Sequence, residues 1–161
     1  MKVKVGFGYD VHKLAENRKF ILCGIEVEHP VGLLGHSDAD VAVHALIDAL
    51  CGAANLGDIG KLFPDNDDRY KGISSILLLE KTLEKVREKG FSFGNADITI
   101  VAQAPKLAPY IPQMKENLRN VIGCDIDDIS LKATTEEHLG FTGRKEGVAA
   151  YAVVLLEKLK G

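Results

Sequence analysis

The chain has 161 residues and a net charge of −3 at pH 7, with 46% hydrophobic residues. A chain of this length buries about 70% of its unfolded surface in one core, so we expect a single domain over residues 1–161. The basic residues are scattered, which argues against nucleic acid or an anionic membrane as partner. The longest apolar runs are too short or too interrupted to cross a bilayer and Met1 opens no signal sequence, so we expect a cytoplasmic protein.

Three isolated cysteines, Cys23, Cys51 and Cys124, form no CxxC pair. An odd number of unpaired cysteines predicts neither a disulfide framework nor a zinc cluster. We expect them to be small buried residues in a reducing compartment.

The N-terminal segment, residues 2–12, alternates polar and apolar residues and predicts a strand with one buried face. Asp10 and His12 lie two apart near its end, hence on the same face, where a carboxylate and an imidazole can share a metal ion. An isolated Asp-x-His is also a common pair of surface residues. Residues 20–24 and 25–27 predict a short hairpin that bends at Gly24.

A long apolar helix is predicted to begin at Asp38, with Ser37 as its N-cap. Asp40, His44 and Asp48 recur every fourth residue and therefore form one polar stripe on an otherwise buried helix. Buried polar groups need partners, so another part of the chain must contact this stripe. Asp48 could orient a metal-bound imidazole of His44, or it could simply lie on the helix surface.

The loop at 57–68 contains four carboxylates and could be either a solvated acidic loop or a flap that closes over a polyhydroxy ligand. The elements predicted after it are a helix at 74–89, a strand at 95–103, a proline-containing loop at 104–109, a helix at 112–122, a strand from 129 into 134–137, a turn at 140–144 and a strand at 147–159. This order favours an α+β two-layer sandwich, a mixed β-sheet covered on one face by helices. The other face needs cover, which suggests association with other subunits.

Two histidines and one carboxylate leave an open coordination position, as at catalytic zinc or non-haem iron. The loops offer many hydrogen-bond donors and positive charges, namely Ser, Thr, Lys and Arg side chains and backbone N–H groups. These donors favour a phosphate substrate over a reaction with molecular oxygen at iron. A protein that only binds zinc or a nucleotide, without catalysis, is the alternative from another class.

Six blocks occur in order along the chain: Gly6-x-Gly8-x-Asp10-x-His12, Leu34-x-His36-Ser37-Asp38-x-Asp40-Val41-x-x-His44, Gly57-Asp58-Ile59-Gly60-x-x-Phe63-Pro64-Asp65, Gln103-x-Pro105-Lys106, Lys132-Ala133-Thr134-Thr135 and Gly140-Phe141-Thr142-Gly143-Arg144. Together they closely resemble the 2-C-methyl-D-erythritol 2,4-cyclodiphosphate synthase family of the non-mevalonate isoprenoid pathway. The resemblance covers essentially the whole chain.

The resemblance implies a homotrimer with active sites between neighbouring subunits. It implies cyclisation of 4-diphosphocytidyl-2-C-methyl-D-erythritol 2-phosphate, with release of CMP. Asp10, His12 and His44 would hold one Zn²⁺ per subunit, and Glu137, chosen over the adjacent Glu136, would help to hold Mg²⁺ or Mn²⁺.

The resemblance also assigns roles in catalysis and substrate binding. His36 and Thr135 would stabilise the transition state, residues 63–67 would form a mobile flap, and residues 102–108 would enclose the cytidine. The full set of implied substrate-binding residues is Asp10, Val11, His12, His36, Ser37, Asp58, Ile59, Gly60, Phe63, Pro64, Asp65, Asn66, Asp67, Ala102, Gln103, Ala104, Pro105, Lys106, Leu107, Ala108, Ala133, Thr134, Thr135, Glu136, Glu137, Phe141 and Arg144.

Overall fold

The computed structural model describes all residues from Met1 to Gly161 and contains a mixed five-stranded sheet. In chain order the strands are β1 (Val3–Ala15), β2 (Ile21–Leu22), β3 (Ile25–Glu26), β4 (Gly32–Leu34), β5 (Phe91–Val101), β6 (Ile129–Thr134) and β7 (Gly147–Lys158). The sheet order is β4-β1-β7-β5-β6, and β2 and β3 form a separate hairpin. Only the β5–β6 pair is parallel.

Five helices accompany the strands: α1 (Val41–Ala53), α2 (Ile59–Leu62), α3 (Ser75–Glu88), α4 (Ile111–Ile122) and α5 (Gly140–Gly143). The three long helices, α1, α3 and α4, pack on one face of the sheet. The prediction of a mixed sheet with helices in an α+β fold is therefore confirmed. None of the helices combines the length and the hydropathy that crossing a bilayer demands.

The packing of α1 on β1 depends on two glycines, Gly6 and Gly8, which lie under the helix. A Cβ atom added to Gly8 would lie 1.9 Å from the carbonyl oxygen of Ala45, and one added to Gly6 would lie 1.9 Å from that of Ala49. Only glycine allows two backbones to approach this closely. The strand that carries Asp10 is therefore held directly against the helix that carries His44.

Helix α1 begins at Val41 and not at Asp38, and its N-cap is Asp40 in place of the predicted Ser37. The Asp40 side chain accepts from the N–H of Val43 in α1 and from the N–H groups of Cys23 and Gly24 in the β2–β3 turn. Burial raises the pKa of Asp40 to about 6, although these three donors oppose the shift. Asp40 thus joins the hairpin to the first turn of α1.

Two other local predictions need correction. The segment 140–144 forms the short helix α5 where a turn was expected, and the sequence analysis did not identify β4 or α2. Cys23 and Cys51 are buried as predicted, and burial raises the pKa of the Cys51 thiol to about 12, whereas Cys124 is only partly buried.

Two groups of predicted site residues lie at the same end of the sheet. Strands β1, β5 and β6 run in one direction, because β1 and β5 are both antiparallel to β7 and β6 is parallel to β5. Asp10 pairs with Ala150, which pairs with Ile100, which pairs with Ala133. Three inter-strand steps separate β1 from β6, or about 14 Å at the usual strand spacing.

The sheet face opposite the helices is exposed and apolar over β1 and β7. The exposed fractions are 66% for Val5 and 61% for Phe7, and Val11 and Val153 are also exposed. The Tyr9 and Tyr151 rings on the same face are 5.0 Å apart between centroids. A contiguous apolar surface of this kind indicates a contact surface.

Candidate metal and substrate site

Three potential metal ligands converge where β1 meets α1. The Oδ2 atom of Asp10 lies 2.8 Å from His12 Nε2 and 3.1 Å from His44 Nδ1, and the two imidazole nitrogens are 3.1 Å apart. Neighbouring donors around tetrahedral zinc, at bond lengths of about 2.0–2.1 Å, lie about 3.3 Å apart. The three residues therefore fit a metal ion with small adjustments, as the sequence analysis predicted for this trio.

The outward-facing nitrogen of each imidazole is also engaged. His12 Nδ1 lies 2.9 Å from the carbonyl oxygen of Leu34, to which it donates. His44 Nε2 lies 2.7 Å from Ser75 Oγ and 3.0 Å from Ser37 Oγ. Each ring is thus held with its lone-pair nitrogen directed at the cluster, the arrangement typical of metal-bound histidines.

The electrostatics of the cluster agree with its geometry. Burial is the largest single influence and opposes the charges of Asp10 and His12. The hydrogen bonds and charge interactions within the cluster together outweigh it, so the pKa of Asp10 is lowered and that of His12 is raised. In the absence of a cation, a proton on His12 would supply the positive charge that the carboxylate requires. A divalent cation would replace that proton.

The cluster opens into a cavity of about 340 Å³ between β1, α1 and the loop after α2. Among the residues expected to bind substrate, the cavity is lined by Asp10, His12, His36, Ser37, Ile59, Gly60, Phe63 and Asp65. Tyr70 and Leu78 also line it, which the sequence analysis missed; Tyr70 packs edge-on against Phe63 with centroids 5.3 Å apart.

The loop expected to form a flap is tied to His36. His36 Nε2 donates to the carbonyl oxygen of Asp67 over 3.0 Å, and the N–H of Gly72 donates to the carbonyl of His36 over 2.8 Å. The Asp67 side chain is meanwhile paired with Arg69. His36 therefore contacts both the cavity and the loop that covers it.

A second cavity, of about 380 Å³, lies at the ends of β5 and β6. It is lined by Ala102, Gln103, Pro105, Lys106, Leu107, Ala108, Ala133, Thr134 and Thr135, all of which the sequence analysis predicted, and by Ile111. Its walls are mostly apolar, which suits a flat heterocycle.

The segment after β6 distinguishes its two glutamates. The Glu136 carboxylate accepts a hydrogen bond from the buried hydroxyl of Thr142. The Glu137 side chain is exposed and unpaired, and its backbone N–H donates to Thr135 Oγ1 over 3.2 Å. Of the two carboxylates, only that of Glu137 has both oxygens without a protein partner.

The structure does not gather every predicted residue. Val11 faces the exposed side of the sheet. The other predicted residues that line neither of the two cavities are Asp58, Pro64, Asn66, Asp67, Ala104, Glu136, Glu137, Phe141 and Arg144. His36 and Thr135 lie in different cavities of this chain.

Asp48 does not orient His44, in contrast to one of the two sequence-based alternatives. The Asp48 carboxylate instead accepts a long bond of 3.4 Å from the N–H of Ile59, at the start of α2. Ser75 takes its place beside His44, and the sequence signal for Ser75 was only its position at the start of an amphipathic helix.

Comparison with known proteins gives consistent matches along the chain. The model of the YgbB family matches residues 3–157. A protein of Clostridium acetobutylicum named 2-C-methyl-D-erythritol 2,4-cyclodiphosphate synthase is 58% identical over 154 residues, 96% of this chain and 99% of the relative. A Bacteroides fragilis protein of the same name is 59% identical over 159 residues, 99% of this chain and 100% of the relative.

Solved structures agree with the sequence matches. The bifunctional IspDF of Campylobacter jejuni matches with a TM-score of 0.95 and 45% identity over 99% of this chain, which spans 43% of that longer protein. A 2C-methyl-D-erythritol-2,4-cyclodiphosphate synthase in a CDP-bound form matches with a TM-score of 0.88 and 40% identity, covering 96% of this chain and all of the other. The predicted resemblance is therefore confirmed: the chain belongs to the YgbB family, the family of relatives named 2-C-methyl-D-erythritol 2,4-cyclodiphosphate synthase.

Proposed function

We propose that this chain is a 2-C-methyl-D-erythritol 2,4-cyclodiphosphate synthase. The observation that carries the proposal is the convergence of Asp10, His12 and His44 within 3.1 Å of one another at the floor of a cavity. The reaction converts 4-diphosphocytidyl-2-C-methyl-D-erythritol 2-phosphate into the 2,4-cyclodiphosphate and CMP, a step in the formation of isoprenoid precursors.

In this reaction an oxygen of the 2-phosphate forms a bond to the β-phosphorus. The bond between the β-phosphorus and the bridging oxygen to the α-phosphate breaks, and that oxygen leaves with CMP. The attacking phosphate is already ionised at neutral pH, so the chain needs no strong base. Its task is to neutralise charge and to align attacking and leaving oxygens.

We assign one Zn²⁺ per subunit to Asp10, His12 and His44. When bound, the ion would act as a Lewis acid on a β-phosphate oxygen. The engaged outward nitrogens of both histidines support this assignment, because they leave one lone pair of each ring for the cation.

We assign a second divalent cation, Mg²⁺ or Mn²⁺, to the diphosphate with help from Glu137. Its free and exposed carboxylate supports this choice, whereas Glu136 is bound to Thr142. A hard cation of this kind prefers carboxylate and phosphate oxygens.

His36 and Thr135 would stabilise the charge that moves between the phosphates during the reaction. Thr135 can donate from its hydroxyl, and His36 could donate from Nε2 once that N–H leaves the Asp67 carbonyl; both residues border cavities. Ser37, Asp58 and Gly60 would contact the methylerythritol portion, and residues 63–67 would cover it as a flap. Donors fixed before reaction cost little reorganisation when charge develops.

The cavity at the ends of β5 and β6 would hold the cytidine. Its apolar walls fit the pyrimidine ring, and the CDP-bound form of a related synthase supports the assignment. Phe141 and Arg144 would contribute to ligand binding from a position outside both cavities.

We further propose a homotrimer. The metal cluster and the second cavity lie about 14 Å apart in one chain by strand spacing, so a neighbouring copy is the simplest source of the missing half of each site. The exposed apolar face of β1 and β7 supplies a surface for such an assembly. One continuous core of 37 buried residues supports a single synthase domain over residues 1–161. The three free thiols of the chain favour a location in the cytoplasm.

The proposal is tested by incubating purified chain with the cytidyl substrate and measuring CMP release together with the phosphorus NMR spectrum of the product. Untreated enzyme is compared with enzyme treated with chelator and then resupplied with Zn²⁺ and Mg²⁺. We expect metal-dependent CMP and two coupled diphosphate signals without free phosphate.

His44→Ala is the matched variant for the metal assignment. It should lose both zinc and turnover, and its circular dichroism should show that the fold persists. Full turnover of metal-depleted His44→Ala would exclude zinc at this cluster. Absence of CMP from the wild-type chain under every metal condition would favour a binding protein without catalysis.

A further inference from the structure

A buried chain of hydrogen bonds runs outward from His44, away from the metal cluster. His44 Nε2 lies 2.7 Å from Ser75 Oγ, and the Ser75 hydroxyl also bonds to Asp38 Oδ1. Ser75 is fully buried at the first residue of α3, and Asp38 belongs to the loop before α1. The loop just before α1 and the start of α3, 31 positions after His44, therefore meet behind its ring.

The direction of each hydrogen bond follows from the groups involved. A carboxylate only accepts, so the single Ser75 proton is donated to Asp38. The Ser75 oxygen must then accept from His44, which places a proton on Nε2. The lone pair of the ring is left on Nδ1, the nitrogen that faces Asp10 and His12.

The backbone holds this chain in place. The N–H of Ser75 donates to Asp38 Oδ2 over 2.9 Å, and the N–H of Asp38 donates to the carbonyl of Ile73 over 3.1 Å. Asp38 therefore caps α3 from outside the helix, while the formal N-cap, Ser74, makes no side-chain capping bond. These bonds fix the Ser75 side chain, so its oxygen accepts the hydrogen bond from His44 Nε2 in a single position.

We propose that Ser75 and Asp38 are positioning residues, which hold His44 in the Nε2–H tautomer and aim Nδ1 at the cation. This inference rests on the metal assigned under the proposed function. Metal-bound histidines commonly donate their other nitrogen to a carboxylate or carbonyl. His12 follows that rule through Leu34, whereas His44 reaches a carboxylate through a serine hydroxyl.

The first test measures Zn²⁺ affinity by competition with a chromophoric chelator, with no substrate present. Loss of such an outer partner weakens metal binding about 10–100-fold. We expect Ser75→Ala to fall at the lower end of that range, because Ser37 Oγ, 3.0 Å from Nε2, can still accept from the ring. Ser75→Thr, which keeps the hydroxyl, should restore most of the affinity. Ser74→Ala is the matched control, because it removes an exposed hydroxyl without a capping bond from the same helix end; its affinity should equal that of wild type.

A double variant tests whether the two residues act through one path. Asp38→Asn should also weaken zinc binding, and adding Ser75→Ala should cost little more, because the side-chain path from Asp38 to the His44 ring runs through Ser75. Asp38 Oδ1 also accepts from the N–H of Asp40 at the start of α1, so circular dichroism of Asp38→Asn checks that the helix persists. Wild-type affinity in Ser75→Ala, or independent and multiplicative losses in the double variant, would overturn the proposal.

A measurement on the wild-type chain avoids any question of variant folding. Nitrogen-15 NMR of zinc-loaded, histidine-labelled protein should show Nε2–H with Nδ1 bound to zinc for His44, and the opposite arrangement for His12. Nε2 coordination by His44 would overturn the proposal. A wild-type chain that takes up no Zn²⁺ at all would instead overturn the metal assignment of the proposed function.

Discussion

The Gly8 contact allows the most direct test of how the fold builds the metal cluster. In Gly8→Ala, the new Cβ would lie 1.9 Å from the carbonyl oxygen of Ala45. An ordinary carbon–oxygen contact is about 3.3 Å or longer, so α1 and β1 must separate by about 1.4 Å. Because both contacting atoms are held by regular secondary structure, no side-chain rotation can relieve the clash.

The expected loss of stability follows from this overlap. Overpacking costs about 1–3 kcal/mol, and a backbone clash belongs at the upper end. For a chain of this size, each 1 kcal/mol lowers Tm by about 2–4 °C, which predicts a decrease of about 6–12 °C in the metal-free protein. Metal sites tolerate errors of about 0.2 Å in ligand distance, so zinc affinity should fall even where the fold persists.

The assays are thermal unfolding in the presence of chelator and Zn²⁺ competition at a temperature where both proteins are folded. Gly52→Ala is the matched control: it makes the same change in α1, where an added Cβ meets nothing closer than the Phe7 carbonyl at 4.0 Å. That variant should be as stable as wild type or more so, by up to about 1 kcal/mol. Wild-type Tm and zinc affinity in Gly8→Ala would refute the argument.

Three further predictions concern the stability and cation dependence of the site. In Asp40→Asn the side-chain NH₂ group must face either the N–H of Gly24 or those of Cys23 and Val43. This should lower the free energy of unfolding, measured in urea, by about 1–3 kcal/mol. An unchanged urea midpoint would contradict the capping role. Because the pKa of His12 is raised, its proton stabilises the metal-free fold below pH 6.5, and this stabilisation is lost as the pH rises through the raised pKa. Zinc, in contrast, binds only the neutral ring. The increase in Tm on adding zinc should therefore grow with pH above 6.5, and a pH-independent increase would argue against His12 as ligand. Glu137→Gln should raise the Mg²⁺ concentration for half-maximal CMP release far more than Glu136→Gln does, and the reverse order would move the second cation to Glu136.

Local sequence signals predicted the elements whose ends are set locally. Gly90 and Gly123, with φ of 85° and 77°, follow α3 and α4 and end them where the sequence indicated. The start of α1 was misplaced because its true cap, Asp40, is selected partly by N–H groups of Cys23 and Gly24, 17 and 16 positions earlier. No local pattern carries that information.

The same distinction applies to the candidate site. Asp10 and His12 were predicted to share a face because a strand has a period of two, and the structure places them together. The partner of His44 was misjudged in one alternative because Asp48 lies one turn away on the same helix, while Ser75 arrives from 31 positions later. Helical periodicity describes neighbours along one helix and cannot describe a helix that packs against it.

The separation of the two cavities across β1, β7, β5 and β6 has a consequence for mixtures of chains. Suppose that each working site joins the metal cluster of one copy to the second cavity of its neighbour. A variant chain that lacks the cluster then still supplies an intact cavity, and a variant chain that lacks the cavity still supplies an intact cluster. Mixed in equal amounts within cyclic trimers, such chains would rebuild about a quarter of the sites, each from two intact halves. Two proteins that are each inactive would then complement one another, because catalytic competence would belong to the contact between copies and not to any single chain.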